Sequence, residues 1–150
     1  MSKLRQLNLV LDLALKKEQN CAMLYQQANM HLQQNQIKLS GLERYRLDYL
    51  HGIRQKAHQG VDAQSMNQHH QFVGKLDKAC EQQIQLINNA VLVKAQRKQQ
   101  WLLQQQKSKA IKSLILSKQK KAIALENRQE QKMFDELAAQ HAFKKTSLHR

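Results

Sequence analysis

Proline is absent from this chain of 150 residues, glycine occurs only four times, and aromatic residues make up 5% of it. Valine and threonine are sparse as well. A sheet protein needs β-branched or aromatic strands and turns punctuated by glycine and proline, so these shortages exclude most β architectures and leave an all-α chain. The two cysteines, Cys21 and Cys80, stand alone and far apart. They form no zinc-ligand pair and no redox motif; thiols buried in a helical seam are the expected reading. No stretch approaches the roughly 20 consecutive apolar residues that cross a bilayer. The apolar run in MSKLRQLNLVLDLALKKEQN is interrupted by Asp12 and followed by no small-residue cleavage site. A signal peptide is therefore not expected, and the mature protein is expected to begin in the cytosol.

Acid is scarce too: 11 Asp and Glu stand against 25 Lys and Arg, a formal net charge of +14. Residues 82 to 125 hold no acid, yet carry Lys94, Arg97, Lys98, Lys107, Lys109, Lys112, Lys118, Lys120 and Lys121. Such a segment suits nucleic acid, anionic lipid or an acidic protein surface, and by itself selects none of them.

What fills the chain instead is Gln, Lys, Leu and Ala, which lose little side-chain freedom in a helix. With 41% apolar residues and a mean hydropathy of -0.71, there is too little apolar surface for a globular core. There is enough for a narrow seam between long helices, and an elongated shape is expected.

Heptads written from Leu4 show where that seam lies. One position runs Leu4, Leu11, Glu18, Tyr25, Leu32, Leu39, Arg46, Ile53, and the other Leu7, Ala14, Cys21, Ala28, Asn35, Leu42, Tyr49, Lys56. Six of eight are apolar in each, a pattern that predicts a coiled-coil helix over about 3–57. The run His58-Gln59-Gly60-Val61-Asp62 breaks it: Gly60 suits a helix C-terminus, and Asp62 can cap the next helix with its carboxylate. The turn is placed at 58–62. Helix 2 follows over about 63–143, with Met66, Val73, Cys80, Ile87, Trp101, Ile115 and Ala122 on one seam position. Leu76, Ala90, Ile111 and Leu125 occupy the other, and Lys94, Arg97 and Gln104 weaken the middle of helix 2.

A short connection makes the two helices antiparallel neighbours, so residues whose numbers sum to about 121 lie opposite one another. The expected architecture is an antiparallel coiled-coil hairpin, a single elongated unit over 1–150, with helix 2 the longer. Cys21 and Cys80 are then about 30 Å apart along it, too far for a disulfide. Trp101 is placed in the seam opposite Asn20 and Cys21. Leu4 faces about residue 117, leaving 118–143 without a partner helix, an overhang about 39 Å long if helical. It carries Ala122, Leu125, Met133, Phe134, Leu137 and Ala138, read either as a docking face or as a frayed tail.

Catalysis finds little support. Seven histidines invite a metal reading, with His69 and His70 near Cys80 the best candidates. Adjacent histidines diverge by about 100 degrees on a helix, however, and zinc needs about four convergent ligands. Solvated histidine is the expected state. No Gly-rich phosphate loop, nucleophile elbow or buried carboxylate pair is present, and two helices offer no cleft to hold one. Neither enzyme activity nor a cofactor is expected.

Two stripes near the turn are more informative. Leu42, Tyr45 and Tyr49 line one face of helix 1, and Phe72, Leu76 and Ala79 one face of helix 2. The hairpin rule pairs Tyr49 with Phe72, Tyr45 with Leu76 and Leu42 with Ala79. Leu42, Tyr49 and Leu76 fall on seam positions, whereas Tyr45, Phe72 and Ala79 do not. Core packing is one reading; an aromatic patch spilling from the seam to bind a protein is the other.

Three groups of residues bear on that choice: Gln71-Phe72 with Leu76-Asp77-Lys78-Ala79; Glu126-Asn127-Arg128 with Gln131-Lys132-Met133, Asp135-Glu136 and Ala138; and Asp12-Leu13-Ala14. In order and spacing, over nearly the whole chain, these residues resemble the FliJ family of flagellar type III export proteins. The resemblance implies an antiparallel coiled coil similar to the central stalk of rotary ATP synthases, its helix ends set in the flagellar export ATPase ring. The overhang then has a partner, with Leu125, Asn127, Arg128, Met133, Phe134 and Leu137 as candidate contacts. It further implies binding to the cytoplasmic domain of the export gate FlhA through the positions Leu42, Tyr45, Tyr49, Phe72, Leu76 and Ala79. Two further family positions on that surface, usually Gln and His, are Lys38 and Gln83 here. Escort of flagellar export chaperones is implied as well. So is a location on the cytoplasmic face of the inner membrane at the flagellar base, peripheral and through partners alone. The protein is expected to be a monomer by itself and to bind no specific nucleic acid.

Two other readings stand beside this one. A basic coiled coil binding nucleic acid would rest on residues 82–125, with affinity that falls steeply with salt. Recognition motifs are missing, though, and only Trp101 could stack on a base among those lysines. A structural coiled-coil oligomer would associate through the overhang.

Overall fold

The computed structural model describes residues 2–148. They form α1, Ser2–His58, and α2, Ala63–Leu148, packed antiparallel with α2 the longer, and no strand occurs among the described residues. α2 runs on past Phe143 because nothing in its last turns, neither proline nor glycine, ends a helix.

The turn is built from local chemistry. Backbone N–H groups of Gln59 and Gly60 donate to the carbonyls of Lys56 and Ala57 at 3.0 and 3.3 Å. Gly60 has φ of +84°, a left-handed conformation that a Cβ disfavours. The Asp62 carboxylate then accepts from the Ser65 N–H at 3.1 Å, capping α2. Hydrogen bonding to Ser65 is the main cause that holds its carboxyl below the usual carboxylate range.

The hairpin divides into two compact units, 17–104 and 1–16 with 105–150. In the first, Ala28, Leu32, Ile53, Leu76 and Ala90 are the buried apolar residues; in the second, Ala14 and Ile115 are, beside the buried Ser108. Every heptad position of α1 counted from Leu4 is buried or half-buried except Lys56. On α2 the same holds from Met66 through Lys118. Lys94, Arg97 and Gln104 keep half-buried seam places; Lys and Arg can bury their stems there while their charged ends reach water. Ala122 and Leu125, expected in the seam, are exposed, lying beyond the stretch of α2 that the described residues of α1 are long enough to line.

Other local expectations are revised by packing. Trp101 stacks on Tyr25, with ring centroids 5.6 Å apart and planes 25° from parallel, one turn along α1 from Asn20 and Cys21. Two flat rings gain more from overlapping each other than indole gains from Asn and Cys. Cys21 and Cys80 are free and half-buried rather than buried.

Candidate functional site

Within the unit 17–104, the stripes from α1 and α2 come together beside the turn. Heptad geometry explains which residues meet. In an antiparallel pair one flank of the seam is formed by the second seam position of each helix and the position four before it. Leu42, Tyr49 and Leu76 are the seam members of this flank, and Tyr45, Phe72 and Ala79 are its outer members. The rings confirm the geometry. Tyr49 and Phe72 have centroids 4.7 Å apart and are tilted at 52°. Tyr45 meets Phe72 edge-on at 6.4 Å and stacks beside Tyr49 at 6.5 Å. Tyr45 therefore meets Phe72 as well as Tyr49, and Leu76 of the same flank is 7% exposed. The outer surface belongs to Tyr45 and Phe72, 52% and 36% exposed, with Leu42, Tyr49 and Ala79 half-buried around them.

Polar contacts set this cluster in place. His69 Nδ1 and Tyr49 Oη are hydrogen-bonded at 2.6 Å, and the two rings meet edge-on. The imidazole thus orients Tyr49, a role different from the solvated one expected of it. Arg46 Nε donates to Asp77 Oδ1 on the other flank, and both side chains are partly exposed. Gln83 departs from expectation: rather than standing on the open margin with Lys38, it is 7% exposed. Its Nε2 donates to the Asn35 carbonyl and Oδ1 at 2.9 and 2.8 Å. Its seven-residue spacing from Leu76 and Ala90 puts it in the seam, a signal already present in the heptads. Lys38 is exposed.

The second surface lies in the other unit. From Gln119 through Ser147 every residue of α2 is exposed, and the helix stays continuous. Met133, Phe134 and Leu137 line one shallow groove with Glu130. At about 100 degrees per residue, Ile123 and Asn127 share that side, while Leu125 and Arg128 point away. Of the six residues expected to contact a ring, four therefore form one face.

No group of His, Cys, Asp or Glu among the described residues is placed to hold a metal ion. No helix among them is long and apolar enough to cross a membrane. The basic segment presents Lys98, Lys107, Lys109, Lys112, Lys120 and Lys121 to solvent, while Lys94, Arg97 and Lys118 are half-buried.

No curated protein and no solved structure matches the chain. The family model described as Flagellar FliJ protein matches residues 2–147. Nothing in these comparisons supports nucleic-acid binding. Members of this family are non-catalytic export chaperones. The chain therefore belongs to the flagellar FliJ protein family, as a component of the flagellar type III protein export apparatus.

Proposed function

We propose that this protein couples the flagellar export ATPase ring to the export gate and assists export chaperones. In this reading the overhang of α2 sits in the ring, and the aromatic flank beside the turn engages the cytoplasmic domain of the gate FlhA. ATP hydrolysis in the ring is thereby linked to gate opening. The observation that carries the reading is the pair Tyr45 and Phe72, two large rings left open to solvent in a chain of this family. Their neighbours Tyr49, Leu42 and Leu76 hold them from below, as a hot spot requires. The exposed Ile123, Met133, Phe134 and Leu137 support the ring contact in the same way. Placement at the flagellar base, on the cytoplasmic face of the inner membrane, follows from these partners.

Binding of the purified protein to the purified gate domain and to a random DNA duplex at moderate salt tests this, with a Tyr45→Ala/Phe72→Ala variant alongside. Gate binding that the variant loses, with weak and salt-sensitive DNA binding, is the expected result. Tight DNA binding without gate binding would overturn the proposal.

A further inference from the structure

We propose that the gate-binding flank does not stop at Ala79 but continues along the same edge of the hairpin through Leu86 and Val93. This rests on the gate reading above. Phe72, Ala79, Leu86 and Val93 recur every seven residues, so they stand in one line on α2, about 32 Å from first to last. Leu86 and Val93 are 52% and 42% exposed, although no part of the seam needs them at the surface. Half-buried Leu24 is the corresponding apolar residue of α1 on this edge.

The edge is also firmly backed. The Asn35–Gln83 hydrogen bonds lie in the seam one turn before Leu86, and Asn35 Nδ2 in turn donates to the His31 carbonyl at 2.9 Å. Buried Ala28 and Ala90 continue the seam beside it.

Charge separates this edge from the one across the seam. Along 21–49 and 69–100, no Asp or Glu occupies either the seam or the outer position of the gate-binding flank. Lys38 and Arg97 do stand there; Lys75 borders Phe72 and Ala79, and Asp48 borders Tyr45 at the turn end. The opposite edge also has two exposed apolar residues, Ile84 and Val91, but Asp77 and Lys98 bracket them, and the α1 residues opposite them on that edge, Gln36 and Asn29, are polar. The chemistry that fits the longer line is therefore an apolar channel bordered by carboxylates, and the occupant is the gate domain already engaged by Tyr45 and Phe72.

Binding to the purified gate domain, measured by calorimetry on the full chain, distinguishes the possibilities when helicity of each variant is checked by circular dichroism. Leu86→Ser/Val93→Ser is expected to weaken binding about tenfold or more, and Ile84→Ser/Val91→Ser to leave it unchanged. Native affinity in Leu86→Ser/Val93→Ser, with loss in Tyr45→Ala/Phe72→Ala, would end the line at Ala79 and leave the gate reading standing. Equal loss in both serine variants would also overturn the extension. Full binding by Tyr45→Ala/Phe72→Ala, or none by the native chain, would overturn the gate reading and this inference with it.

Discussion

Asn35 and Gln83 are hydrogen-bonded across the two helices, and both are buried. Net, such a bond stabilises by only about 0.5–1.5 kcal/mol, whereas leaving one buried partner unpaired costs about 1–3 kcal/mol. Gln83→Ala is therefore expected to destabilise the hairpin by about 1–3 kcal/mol in urea unfolding. Asn35→Leu/Gln83→Leu should recover most of that stability, because an apolar pair leaves nothing unsatisfied. Asp62 offers a pH test. Its folded-state pKa is depressed, so its contribution is complete above the ordinary carboxylate range and disappears as pH falls through the lowered value. Asp62→Ala should lower Tm at neutral pH, and the difference from the native chain should shrink as pH falls below the ordinary carboxylate range. The cap and the left-handed Gly60 were legible in the sequence, since both depend on a few adjacent residues. The partner of Gln83 was obscured by the family likeness, which placed it at an open margin although its heptad position is in the seam.

At the scale of the helices, the apolar period places nearly every seam residue, because a helix repeats its faces whatever surrounds it. The period cannot decide where covering stops. Ala122 and Leu125 continue the pattern and yet stay exposed. Gly60→Ala tests the connection between the helices: nothing lies within 4 Å of an added Cβ, so backbone strain alone acts, and a loss of about 1 kcal/mol is expected. For the overhang, deletion of 118–143 is expected to abolish binding to the ATPase ring while gate binding persists; unchanged ring binding would count against this assignment. Phe134→Ala/Leu137→Ala should act in the same direction, and Leu125→Ala much less, since Leu125 points away from the face that Met133, Phe134 and Leu137 share.

For the molecule as a whole, the formal charge of +14 opposes self-association, and sedimentation across a range of concentrations is expected to report a monomer. Association that grows with concentration and is lost on deletion of 118–143 would favour the oligomer reading instead. Helix content, the turn, the seam and the family were determined by the sequence itself, because each depends on residue types at fixed short spacings. Tertiary structure alone decided that Tyr45 packs against Phe72, that Tyr25 takes Trp101, and that Gln83 bonds to Asn35. Those outcomes depend on how two side-chain surfaces interlock across the hairpin, and a numbering rule accurate to about one helical turn does not resolve them.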